Sequence, residues 1–205
     1  MNRSSTATRD LGATYPCTRQ SRKPVRFKNS ATHYGLVSKF LHWVIALSIL
    51  GLIGLGWYMV DLTYFDQWYN QSLALHKAIG MVVLGLALVF FGWKLVSPSP
   101  PHQALGAVWQ QRAATAMHIF LMILMVVIPA TGYLISTSAG KPITLFGLID
   151  IPALFEKNED LRDLAINLHF YLGYGMGLLA LGHAGAAIKH QLIDRDGTLA
   201  RMMWR

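Results

Sequence analysis

Eight histidines stand in this chain of 205 residues, and the spacing of two of them is the first sign of chemistry. His169 and His183 lie 14 residues apart in the apolar stretch 164–190. At roughly 100° per residue a helix brings them to within about 40° of one another, on one face. At ~1.5 Å per residue they are separated by ~21 Å along the axis. One then sits near each edge of a ~30 Å hydrocarbon core. An ionisable side chain within a membrane helix is costly and marks a functional site by default. Two imidazoles on one face at two depths suit two cofactors stacked across a bilayer. Gly173, Gly175, Gly177 and Gly182 lie between or beside them. Glycine weakens a helix but admits a bulky group or a second backbone.

The elements that must position these residues are transmembrane helices. The chain is 53% hydrophobic and only 14% charged, well under the ~25% charge of soluble domains. Its apolar residues gather in four runs of membrane-spanning length, about 41–60, 78–96, 113–135 and 164–188. The expected fold is all-α: an integral membrane bundle of four transmembrane helices in one domain, residues 36–205. Residues 98–101 (Pro-Ser-Pro-Pro) break the chain between the second and third spans. Pro129 is expected to kink the end of the third. Residues 136–163 form the longest loop, with 155–164 as a short amphipathic lead-in to the last helix. Residues 1–35 are polar and basic and are expected to be a disordered cytoplasmic tail. That composition also resembles an organellar transit peptide. The single Cys17 permits no internal disulfide, and no CxxC occurs, so thiol-attached c-type haem is not expected.

Lysine and arginine set the orientation. Fourteen of the eighteen fall on one side: eight from Arg3 to Lys39, then Lys94, Arg112, Lys189, Arg195, Arg201 and Arg205. Lys77, Lys141, Lys157 and Arg162 fall on the other, with seven of the ten acids. Both termini are therefore expected in the cytoplasm, with loops 61–77 and 136–163 outside. The formal charge of +8 is explained by this asymmetry. No basic patch interleaved with aromatics points to nucleic acid.

The histidines then sort by side. The outer half holds only His76 and His169. The inner half offers His42, His118, His183 and His190 for two places. Imidazole suits iron, and a six-coordinate haem iron takes two axial ligands. His183 is favoured inside by its shared face with His169, and His42 by its depth. His118 reads equally as a quinone-site or propionate contact and as a packed polar residue. His190 reads as interfacial. Lys77 could attract an anion or pair with a propionate, or serve as an ordinary helix-end lysine. His33 and His102 lie outside the spans and are expected to be solvated.

The ordered set of motifs resembles the prokaryotic cytochrome b561 family, which is similar to the cytochrome b subunits of nickel-iron hydrogenases. It comprises Tyr34 with Leu41-His42-Trp43, His76-Lys77-x-x-Gly80, and His118 with Pro129-x-Thr131-Gly132. His169, then His183 followed by His190, and the tail Asp196-x-Thr198-Leu199-x-Arg201-Met202 complete it. The resemblance covers roughly residues 34–203. It implies two b haems per chain, each held by two histidines: His42 and His183 on the cytoplasmic side, His76 and His169 on the periplasmic side. It implies electron transfer between a membrane quinone and a second partner. At least one family member oxidises superoxide at the periplasmic face and reduces ubiquinone. Where many members have two adjacent histidines, this chain has His190-Gln191.

Three functions follow as expectations. The first is a dihaem oxidoreductase or electron carrier of the bacterial inner membrane, acting with quinone and a periplasmic electron donor or superoxide. The second is a membrane anchor and electron relay for a hydrogenase or dehydrogenase, in a homo- or hetero-oligomer. The third, a non-redox metal transporter or sensor, calls for acidic or thiol ligands in the spans, and the four runs contain no Asp or Glu.

Overall fold

A computed structural model describes residues 26–101 and 107–203. Four long helices dominate: α1 (Leu36–Val60), α2 (Tyr69–Val96), α3 (Val108–Thr137) and α4 (Glu159–Leu192). Each is long and apolar enough to cross a membrane. Successive helices pack on one another, α3 against α4 most extensively, and α4 returns to α1. The seam is built from small or slender side chains: Ile45, Ala78, Val83, Ala87, Met125 and Ala165 are buried, with Ser38, Ser72 and Thr131 among them. Large apolar side chains such as Leu88, Ile123, Leu178 and Leu181 face outward. This is the arrangement expected where lipid is the solvent: helices gain by close approach, and bulky apolar groups need no burial.

The helices run 25 to 34 residues, ~38–51 Å at ~1.5 Å per residue, so their ends pass beyond the hydrocarbon. Hydropathy marks only the lipid-embedded part, and the expected spans were accordingly too short. Of the expected lead-in at 155–164, residues 159–164 are the first turns of α4 itself and 155–158 are not helical. Asn158 caps that helix by accepting from the Leu161 N–H at 2.9 Å, with Glu159 and Asp160 in the first turn. Pro129 lies inside α3, which continues to Thr137. Just after the proline, the Thr131 hydroxyl donates to the Ile128 carbonyl at 2.7 Å.

The long loop holds an antiparallel hairpin, β1 (Ile143–Leu145) and β2 (Ile149–Ile151). The Leu148 N–H donates to the Leu145 carbonyl at 2.9 Å across its turn. Phe146 and Gly147 both have positive φ there, 51° and 76°. Gly147 adopts this freely, whereas a left-handed Phe146 costs about 1–2 kcal/mol. Thr137, fully buried at the end of α3, accepts from the Leu154 N–H at 2.6 Å and ties the hairpin's exit to the bundle.

At the opposite end, a short helix α5 (Thr198–Met203) folds back beneath α4. Residues 1–25 of the expected tail, His102, and Arg205 lie outside the described residues. Residues 26–35 are fastened to the bundle. The Leu36 N–H donates to the Arg26 carbonyl at 2.9 Å, and Asn29 donates from Nδ2 to the Ser97 carbonyl at 2.8 Å. A Cβ on Gly35 would collide with the backbone of Phe27 and Lys28, so only glycine fits that crossing.

Candidate functional site

Two groups of imidazoles form, one toward each end of the bundle. Toward the hairpin end, His76 of α2 faces His169 of α4 with ring centres 6.0 Å apart and planes at 71°. Toward the α5 end, His42 of α1 faces His183 of α4 at 6.3 Å and 64°. Two imidazoles bound on opposite sides of one metal, with bonds of about 2.0–2.1 Å, have ring centres roughly 6.3 Å apart. Both pairs fit that separation, and all four rings are half-buried. Among the described residues no group of three or more His, Cys, Asp or Glu side chains converges on a metal position. Two protein ligands are what a haem iron asks for, since the macrocycle supplies the other four.

All four long helices contribute to the His76/His169 site. His169 Nδ1 lies 3.0 Å from the Ile128 carbonyl and 3.1 Å from the Thr131 hydroxyl of α3. That carbonyl has no proton to give, so Nδ1–H donates and Nε2 keeps its lone pair for a metal. A Cβ on Gly132 would lie 3.0 Å from His169 Cε1, and one on Gly56 of α1 3.4 Å from His76 Cε1. These two glycines therefore let α3 and α1 close onto the rings. His76 Nδ1 is buried and has no hydrogen-bond partner among the described residues. Neither histidine opens its helix, as the short spans suggested. His76 lies about two turns into α2 and His169 about three turns into α4.

At the other end, His118 of α3 joins the pair. Its ring centre is 5.1 Å from that of His183, at 78°, closer than two ligands on opposite sides of one iron. Its Nδ1 donates to the Ala114 carbonyl at 2.8 Å. Trp43, next to His42, donates from Nε1 to the Met202 carbonyl of α5 at 3.3 Å, and Arg201 stacks on Tyr34 at 5.7 Å. Burial raises the Tyr34 phenol above its ordinary pKa, partly opposed by Arg201. His190 faces away into a carboxylate pair, with Nδ1 2.7 Å from Asp194 and 3.4 Å from Asp196. The Lys189 ammonium holds the Asp194 carboxyl below its usual range, assisted by His190. Lys77 is half-buried beside His76 and lines a cleft against β1. Of the glycines on α4, Gly177 and Gly182 would contact Ile53 and Met117 at 3.9 and 3.5 Å, while Cβ atoms on Gly173 and Gly175 would meet nothing within 4 Å.

Residues 33–205 match the family described as prokaryotic cytochrome b561. The chain belongs to that family. It is 38% identical over 177 residues to cytochrome b561 homolog 2 of Escherichia coli, covering 86% of this chain and 94% of that one. It is 30% identical to cytochrome b561 homolog 1 of the same organism, over 81% of this chain and 94% of the relative. It is 27% identical to the probable superoxide oxidase CybB of Yersinia pestis, over 83% and 95%. As a prokaryotic cytochrome b561 it is a multi-pass bacterial membrane protein of electron transport that binds b-type haem.

Proposed function

We propose that this cytochrome b561 holds two b haems, His76 and His169 ligating one and His42 and His183 the other, and carries electrons across the inner membrane to or from ubiquinone. The observation that carries the reading is the repetition of one geometry at the two ends of one helix. Each α4 histidine meets one partner ring at 6.0 or 6.3 Å, and the two are ~21 Å apart along the axis. Haem b, when bound, supplies one-electron redox chemistry. The protein's part is to fix both ligands, exclude water from the macrocycles and set their spacing. The carbonyl of Ile128 does the first at His169 by fixing its tautomer. Were His42, His76, His169 and His183 to hold haem in this way, the iron would be left no open position and the chemistry supplied would be electron transfer without inner-sphere binding of the donor. Both termini are assigned to the cytoplasm from the lysine and arginine distribution.

The name of the Yersinia relative supports superoxide as the donor on the His76/His169 side. The balanced reaction takes two superoxide anions, one quinone and two protons to two molecules of dioxygen and one quinol. The test uses purified protein in vesicles containing ubiquinone. Superoxide generated on the hairpin side should reduce the haem and then the quinone, and ubiquinol should reduce oxidised haem. Haem that responds to neither, yet is reduced when a dehydrogenase or hydrogenase partner is added, would overturn the quinone reading in favour of a relay subunit.

A further inference from the structure

The hairpin packs against α2, and its tip is apolar and exposed. A ~30 Å hydrocarbon core spans about 20 helical residues. Counted from the cations that mark the α5-end interface, 20 residues lead from Lys94 to Ala74, from Lys189 to His169, from Arg112 to Gly132 and from Lys39 to Met59. Two of these four endpoints touch in space: a Cβ on Gly132 would lie 3.0 Å from the His169 ring. A third falls two residues from His76, which faces His169. The counts therefore mark one plane, the hydrocarbon edge on the hairpin side.

Strand β1 crosses that plane's level beside α2. A cleft of about 200 Å³ between them is lined by Asn70, Ala74 and Lys77 of α2 and by Pro142, Ile143 and Thr144. Residues 70 to 77 run from ~6 Å above the Ala74 level to ~4.5 Å below it at ~1.5 Å per residue. The headgroup layer adds roughly 5–7 Å to each leaflet. Ile143 is buried, so the strand is held there, while Phe146, Leu148 and Ile149 at the tip are 57%, 85% and 62% exposed. Phe146 is also the one large side chain that the turn places at a left-handed φ, where glycine would be cheaper. Lys77, about one turn below the Ala74 level, can extend its ammonium toward the headgroup phosphates, and Lys141 precedes the strand by two residues.

We propose that the 143–151 hairpin is a lipid-binding element, its tip inserted among the headgroups of the leaflet on the His76/His169 side. The occupant is phospholipid, because at that depth the surroundings of the bundle are lipid and the flanking lysines complement phosphate.

The test is site-directed spin labelling of the full chain. In a Cys17→Ser background, Leu148→Cys and Phe146→Cys are labelled and placed in vesicles of phosphatidylethanolamine and phosphatidylglycerol. Ile123→Cys, outward-facing within α3, and Lys157→Cys, beyond the hairpin, are the lipid and water references. Relaxation by dissolved oxygen should exceed relaxation by a water-soluble nickel chelate several-fold at 148, as at 123, and the ratio should reverse at 157. The Phe146→Cys label should follow 148. A 148 label that behaves like 157 overturns the proposal. So does one shielded from both agents, which would mean a protein partner or a second copy covers the tip.

Discussion

At the scale of single residues, the proposed ligands differ from their neighbours in ring geometry. His118 is closer to His183 than His42 is, yet 5.1 Å is too short for two imidazoles on opposite sides of one iron, whereas 6.3 Å fits. His118→Ala is therefore expected to keep both haems and His42→Ala to lose one. Haem quantitation showing the reverse would exchange their roles. Gly132 gives a subtler handle. Its Cβ would press on the His169 ring at 3.0 Å, so Gly132→Ala must displace that ring by a few tenths of an ångström. The expected result is a shifted midpoint potential for one haem of two, read by redox titration. Gly92→Ala meets nothing within 4 Å and should leave both potentials alone. That His76 and His169 come together was legible from their depth; at the other end the sequence favoured His42 and His183, and the structure gathers His118 there as well. The glycine seats and the Ile128–Thr131 support of His169 were not legible, because which residue of a neighbouring helix touches a ring depends on helix rotation, and sequence periodicity is nearly silent where lipid surrounds every helix.

At the scale of elements, hydropathy found all four helices and missed what lies outside the hydrocarbon. The hairpin strands are three residues each, below the length at which alternation is a signal. The α5 helix is fixed mainly by tertiary contacts: Arg201 with Tyr34, Met202 with Trp43, and the Ala200 N–H with Gln191 at 3.2 Å. Two outcomes test these ends. Asn158→Ala removes the α4 cap and should cost about 1 kcal/mol, visible as a lower thermal midpoint with haem content unchanged. The Tyr34 phenol has a raised pKa in the folded protein. Its contribution is full below the ordinary value of about 10 and falls as pH rises above it, because the unfolded chain then loses the proton first. Thermal midpoints should therefore drop more between pH 9 and 11, about one unit either side of that value, in the parent than in Tyr34→Phe.

At the scale of the whole molecule, the two imidazole pairs at opposite ends make direction across the membrane meaningful. Fourteen of the eighteen Lys and Arg residues of the sequence fall in the segments assigned to the cytoplasmic side, and the proposed orientation rests on that asymmetry. Reporter fusions at the C-terminus and within 141–160 should report cytoplasm and periplasm respectively, and a C-terminal fusion active only in the periplasm would reverse the assignment. The most direct test of the central claim is haem stoichiometry. Pyridine haemochrome content per chain should be two for the parent and one for each of His76→Ala and His169→Ala. Their double variant should also retain one, since the residues share one site. Two haems retained in either single variant would contradict bis-histidine ligation by His76 and His169.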